Sequence, residues 1–208
     1  MVLVRHADVD CSASGSPLLC GWHDAPLSSA GYKQLELLRY RLALEPRFAA
    51  LYSSPLQRAS ETASAAPGYL LPSLRLLDSL REIHCGVVEG LTLERVKADF
   101  ADCWQHNLLQ NDDGFRWPGG ETYRRFRMRV VRAIGAIARL HPGNSVLIVT
   151  HAGVVNQILG TIAGQSAARW ENFRPGNASV TEVWWGSGCG EVESFDDRAH
   201  LLVEQLAS

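Results

Sequence analysis

Two histidines and two arginines stand where a folded chain could bring them together. Arg5 and His6 directly follow a short apolar run, Val2-Leu3-Val4. Arg58 lies one turn into a helix that Pro55 is expected to open, just past the strand pattern of residues 49–53. His151 comes just after the most apolar run in the chain, Val146-Leu147-Ile148-Val149. Ligands of open α/β folds collect outside the carboxyl ends of the strands. If these runs are parallel neighbours, Arg5, His6, Arg58 and His151 therefore converge on one edge. Two guanidiniums offer planar, bidentate forks that match a phosphate dianion. A neutral imidazole can attack phosphorus, and histidine titrates near neutrality. Helices beginning near Pro55 and His151 would add amide donors for an anion. Each residue alone has an ordinary reading, as an ion-pair arginine or a histidine at a helix start. The prediction rests on all four standing at strand ends.

Such a pocket would be cationic although the chain is not. There are 20 Lys and Arg against 22 Asp and Glu, a formal net charge of −2. That excludes a protein that coats nucleic acid through general basicity, and says nothing against a local cationic site. The chain has no G-x-x-x-x-G-K-[ST] or G-x-G-x-x-G sequence, and Ser53-Ser54-Pro55 lacks the glycines of a nucleophile elbow. His23, His84, His106, His141 and His200 have no metal-ligand spacing with one another or with a cysteine, so neither a metal nor another cofactor is expected. The cysteines at 11, 20, 85, 103 and 189 are odd in number and form no C-x-x-C pair. They read as reduced thiols of a cytoplasmic protein. Only three apolar residues separate Met1 from Arg5, which does not fit a secretion signal, and no stretch approaches the roughly 20 apolar residues of a membrane helix.

The elements that must position these groups follow from period and punctuation. A loop rich in Ser, Gly, Cys and Pro spans residues 11–26. A helix is expected after Ser28-Ser29, carrying leucines at 35, 38 and 42 and stopped by Pro46. Residues 73–77 read as a third strand. Residues 90–110 are helical but irregular, and Asn111-Asp112-Asp113-Gly114 is a loop. A long helix runs over 121–140, and the strand over 145–150 leads into an apolar helix over 154–163. Two late strands, 179–185 and 191–195, pair as a hairpin through Gly186-Ser187-Gly188. Alternating strands and helices predict an α/β fold: three layers, α/β/α, around a mostly parallel sheet. With 208 residues, 46% hydrophobic and 20% charged, the chain fits one domain, 1–208, in which residues 82–120 form a small helical cap over the site.

Beyond the four residues, whole segments carry a resemblance. Leu3-Val4-Arg5-His6-Ala7, residues 53–63 (Ser53-Ser54-Pro55-Leu56-Gln57-Arg58-Ala59-Ser60-Glu61-Thr62-Ala63) and Val149-Thr150-His151-Ala152-Gly153 are similar to signatures of the histidine phosphatase superfamily, the phosphoglycerate mutase-like group. Arg81-Glu82, Gly86 and Glu89-Gly90 resemble its acid-bearing segment. Residues 21–28, 118–122 and 177–181 resemble secondary signatures in the expected order. The resemblance implies that His6 is the nucleophile, that Arg5, Arg58 and His151 hold the phosphoryl oxygens, and that Glu82 donates a proton to the leaving oxygen and later activates water. Taken alone, Glu82 reads as an exposed salt-bridge partner of Arg81. Two positions depart from the pattern: Ala7 stands where glycine is usual, and Val88 where tryptophan is common.

Phosphoryl transfer is mostly positioning and charge stabilisation, and a covalent intermediate divides one hard step into two. The expected activity is thus metal-independent hydrolysis of a small phosphorylated metabolite through a phosphohistidine. α-Ribazole 5′-phosphate is suggested by the similarity of residues 118–121 and of the chain length to that branch. A mutase of the phosphoglycerate type and a non-catalytic phosphate binder are the alternatives. The short chain, without the long insertion of the mutases it resembles, favours hydrolysis; the joint presence of His6, Arg58, Glu82 and His151 argues against a mere binder. Trp22, His23 and Arg116, with Trp117 and Tyr123, lie in segments expected to rim the pocket and contact substrate. No nucleic-acid or membrane partner is expected, and an exposed sheet edge is a surface through which a homodimer could form.

Overall fold

The computed structural model describes residues 1–13, 16–45, 47–64, 66, 73–186 and 190–206. The first apolar run is β1 (Val2–Arg5), and the runs expected to lie beside it are β4 (Ala50–Ser53), β5 (Leu74–Leu76) and β6 (Val146–Thr150). These four are mutually parallel in the order β5-β4-β6-β1. The sheet is completed by β7 (Val180–Trp185), antiparallel to β1, and by β8 (Gly190–Asp197), antiparallel to β7. The late hairpin is therefore present, while Ser187 and Gly188 of its turn lie outside the described residues, as do Pro46 and Cys189.

Alternation along the strands builds the three layers, because successive side chains face opposite ways. Leu3, Tyr52, Val146 and Ile148 pack with Phe126, Val130, Ile134 and Ile158. These last four come from the long helix α5 (Tyr123–Leu140) and from α6 (Ala152–Ile162). Val2, Val4, Leu51, Leu147 and Val149 face the other way, onto Leu38, Leu42, Ala59 and Ala63. Those belong to α1 (Ser29–Ala43) and α2 (Gln57–Ser64). Fully burying each such aliphatic or aromatic side chain contributes about 1.5–3 kcal/mol, so the two clusters fix the strand order and with it the site.

Helix starts are set by side-chain caps. The Ser28 hydroxyl accepts from Gly31 N, and that of Thr122 from Arg125 N. Helix α2 begins at Gln57, two residues after the expected Pro55, because its first free amide is taken at 2.7 Å by the Asp24 carboxylate from another loop. The segment 11–26 is not wholly irregular: β2 (Ser12–Ala13) and β3 (Ser16–Pro17) pair antiparallel within it. Nor are all the thiols free. Cys11 and Cys20 are joined as a disulfide across this hairpin, with Cα atoms 6.9 Å apart. The pair was not legible in the sequence because the short hairpin that brings its ends together was read as open loop. Cys85 and Cys103 are free.

Residues 82–120 contain α3 (Leu93–Asp99) and α4 (Ala101–Leu109). Their own apolar cluster joins Val88, Val96, Phe115 and Trp117 to Tyr123, Ala167 and Ala168. Val88 is fully buried there, so the smaller side chain at that position is packing material. Among the described residues no helix is long and apolar enough to cross a membrane.

Candidate active site

Register aligns the three strand ends. Val4 and Ser53 both sit opposite Val149, and Arg5 opposite Thr150. The next residues out of the sheet are thus His6, Ser54 and His151, side by side. The two imidazoles meet at a centroid distance of 5.2 Å, with their planes 60° apart. Arg58 enters from the first turn of α2 and Arg5 from the end of β1. The convergence expected from strand ends alone is what the chain adopts.

His6 is held in one tautomer. Its Nδ1 lies 2.7 Å from the Ala7 carbonyl, which can only accept, so Nδ1 carries the proton and Nε2 keeps a lone pair. The loop itself is clamped. His6 N donates to Thr150 O, Ala178 N to His6 O, and Asn177 Nδ2 to the carbonyls of both His6 and Ala7. Thr62 Oγ1 accepts from Ala7 N and donates to Arg58 O, which ties the His6 loop to the helix that carries Arg58. The methyl of Ala7 packs with Leu27 and Ala178, away from solvent, so the extra carbon is absorbed by the core. Burial pushes the His6 ring well below the ordinary histidine range, and the neighbouring Arg58 and Arg5 push it further. His6 is therefore neutral, the form that attacks.

Arg58 is only 2% exposed. Its two terminal nitrogens donate to Gly21 O at 2.7 Å and His23 O at 3.0 Å. Arg5 donates to Pro175 O, and its buried Nε has no protein partner among the described residues. Burial lowers the pKa of both arginines, opposed chiefly by the charge of nearby Glu82. A guanidinium stays charged through shifts of this kind. His151 is fully buried; its Nε2 lies 2.8 Å from Ser54 Oγ, and its Nδ1 has no partner among the described residues. Burial, then Arg58, His6, Arg5 and Arg129, hold it well below the ordinary range.

Glu82 sits on the same edge, and not as an ion-pair partner of Arg81, which bonds Asp78 instead. The Glu82 carboxylate accepts from Gly153 N and Ile83 N, each at 2.9 Å. A Cβ on Gly153 would overlap that carboxylate, which is why glycine stands in the first turn of α6. The main chain of Glu82 is held by Arg129 of α5. That guanidinium donates to the carbonyls of Ser79, Arg81 and Glu82 while pairing bidentately with Glu121.

The residues expected to contact substrate part company. Trp22 lies beside Glu82: its indole donates to Glu82 O at 2.7 Å, Arg81 lies 5.0 Å over its ring, and His84 is 4.7 Å away. His23 serves Arg58 through its carbonyl, while its ring lies against Gly90. Arg116 is exposed and makes no hydrogen bond or ion pair among the described residues. Trp117 and Tyr123 do not rim the pocket. They are buried in the cluster that residues 82–120 form with Ala167 and Ala168, where the Tyr123 hydroxyl donates to Asn107 at 2.6 Å.

The sequence does not mark Arg129, and Ser54, Thr62, Gly153 and Asn177 enter it only as members of the resembling segments, with no role of their own. A glycine in the first turn of an otherwise apolar helix was a usable signal. So was a serine just past a strand end. Nothing local marks Arg129 on its amphipathic helix. Among the described residues no three His, Cys, Asp or Glu side chains form a metal-ligand group.

Two facing imidazoles, the guanidiniums of buried Arg58 and half-buried Arg5, and a carboxylate stand together on the carboxyl edge of a parallel sheet, an arrangement whose charge suits a phosphoryl group. The comparisons agree. The family model described as "Histidine phosphatase superfamily (branch 1)" matches residues 1–198, and the chain belongs to that superfamily. It is 31% identical over 202 residues to a metal-independent phosphoserine phosphatase of Arabidopsis thaliana, covering 97% of this chain and 82% of that one. It is 28% identical over 210 residues to a Photorhabdus laumondii protein named "Probable phosphoglycerate mutase GpmB", covering 98% and 95%. The crystal structure of the α-ribazole phosphatase from Shigella flexneri superposes with a TM-score of 0.82 at 22% identity, over 95% of this chain and 96% of that one; at this identity it bears on the fold.

Proposed function

We propose that the protein is a metal-independent phosphatase of small phosphate monoesters working through a phosphohistidine. The observation that carries this reading is the neutral His6 ring, fixed with its Nε2 lone pair free beside Arg5, Arg58 and His151. In the first step His6 Nε2 bonds to phosphorus. The phosphorus–oxygen bond to the leaving group breaks, and the departing oxygen takes a proton from Glu82. In the second step the Glu82 carboxylate takes a proton from water, whose oxygen bonds to phosphorus as the P–N bond breaks. Inorganic phosphate leaves and His6 is restored. The charge spread over the phosphoryl oxygens is met by guanidiniums and imidazole. Chain 1–208 acts as one domain, residues 82–120 cover the site, and Trp22 with Arg81 and His84 forms the wall that the leaving group meets.

Hydrolysis of p-nitrophenyl phosphate tests the reading, with and without EDTA, alongside acid-labile phosphoryl labelling. The wild type is expected to turn over and to label in either condition, and folded His6→Ala to do neither. Wild-type rates in His6→Ala, or loss of activity in EDTA, would overturn it. The mutase named among the relatives supports a second reading, phosphoryl return to another hydroxyl. Interconversion of 3- and 2-phosphoglycerate in the presence of 2,3-bisphosphoglycerate would establish it.

A further inference from the structure

Resting on the reading of the pocket as a phosphoryl site, we propose that Ser54 is a positioning residue that selects the tautomer of His151. Its hydroxyl donates to His151 Nε2, which leaves the ring's single proton on Nδ1 and offers it to the phosphoryl group.

The argument is an accounting of protons. Ser54 is fully buried, and a buried hydroxyl needs an acceptor. Its Oγ already receives the Leu56 amide at 3.3 Å. Among the described residues the only acceptor that Oγ reaches is His151 Nε2, at 2.8 Å. If the ring donated to Ser54 instead, the serine proton would have nowhere to go. Serine therefore donates, and Nε2 accepts.

A neutral imidazole has one N–H, and the bond made by one nitrogen decides where it sits. His151 is neutral because burial and the surrounding cations oppose a further charge. With Nε2 occupied as an acceptor, the proton must be on Nδ1. That atom is buried and has no protein partner among the described residues. It belongs to a ring 5.2 Å from that of His6, in the wall that also holds Arg5, whose Nε is likewise buried and unpartnered. Two orphaned donors in one cationic wall are completed by the same anion. With the opposite tautomer, the Nδ1 lone pair would face the phosphoryl oxygens and repel them. The nucleophile and its neighbour are thus set by different means: His6 by its own backbone carbonyl, His151 by a side chain from the next strand.

The test is the tautomer itself, read in the 15N-labelled full-length protein by two-bond 1H–15N correlation at neutral pH. The His151 signals are assigned by their absence from His151→Gln. The wild type is expected to show protonated Nδ1 and unprotonated Nε2, and added inorganic phosphate to move the Nδ1 proton downfield. Ser54→Ala is expected to populate the other tautomer and to lower kcat/KM for p-nitrophenyl phosphate about tenfold or more, the scale of one hydrogen bond to a charged group. Ser54→Thr, which keeps the hydroxyl, is expected to retain the wild-type tautomer. Protonated Nε2 in the wild type overturns the proposal whether or not the variants fold. So does an unchanged tautomer in folded Ser54→Ala, or an Nδ1 proton indifferent to phosphate. The stated tautomer in a wild type without phosphatase activity would support the assignment of Ser54 and sink the phosphatase reading instead.

Discussion

Gly153 is where a single missing carbon sets the position of Glu82, the proposed acid. Its amide holds one Glu82 oxygen at 2.9 Å, and the space a Cβ would need is filled by that carboxylate. Gly→Ala inside a helix ordinarily stabilises by about 1 kcal/mol. Here the added methyl must push Glu82 off both of its amides. Gly153→Ala is therefore expected to lower kcat at least tenfold on an alkyl phosphate, whose leaving oxygen needs a proton, the usual weight of a positioned acid being roughly 10²–10⁴. The loss should be much smaller on p-nitrophenyl phosphate, whose phenolate leaves unaided. Steady-state kinetics on the two esters, beside Glu82→Gln, checks this; equal losses on both would place the fault in the fold rather than in the acid. The same residue shows what the sequence conceals. Arg5, His6, Arg58 and His151 could be placed from strand ends, whereas Glu82 could be placed only by resemblance. Its anchor is an amide 71 positions away, and no local pattern records a contact of that range.

Two elements, α5 and the segment following β5, are joined by one arginine. Arg129 bonds three carbonyls of one short segment, those of Ser79, Arg81 and Glu82, and is itself fixed by Glu121. A planar fork can make these contacts together, and a lysine cannot. Arg129→Lys is expected to cost roughly 2 kcal/mol, as hydrogen bonds to a charged group are lost at a mostly buried site. Glu121→Gln should couple to it, the double variant losing less than the two singles together. Urea unfolding of the four proteins measures both quantities, and strict additivity would dissolve the clamp. At this scale the helices and parallel strands were legible, because apolar period and turn residues encode them directly. Helix ends and the 11–26 hairpin were less so. Asp24 starts α2 from another loop, and the Cys11–Cys20 bond closes across two strands of two residues each. Both depend on tertiary partners, as does the fate of Trp117 and Tyr123. Their aromatic surfaces fill the cluster around Val88, Val96 and Phe115, a choice that composition leaves open.

Across the whole molecule, a near-neutral chain turns the guanidiniums of Arg5 and Arg58 inward beside two imidazoles, and this links function to stability. Two buried imidazoles beside two guanidiniums are kept neutral in the folded state, with their pKa values depressed below the unfolded value near 6.5. The unfolded chain therefore binds more protons than the native one once the pH drops below that value. The stability due to these rings is fully present above about pH 6.5 and is lost progressively as the pH falls toward their folded values. Each ring contributes a slope of at most about 1.4 kcal/mol per pH unit. Urea midpoints are accordingly expected to fall between pH 7.5 and 5.5. His151→Gln should flatten that fall, since glutamine fills much of the same space and takes up no proton. Inorganic phosphate should flatten it too, because the anion stabilises the folded state by mass action and offsets the charge that opposes protonation. If stability were independent of pH over this interval, or if His151→Gln kept the full wild-type slope, the two rings would not be the neutral pair on which the proposed attack depends.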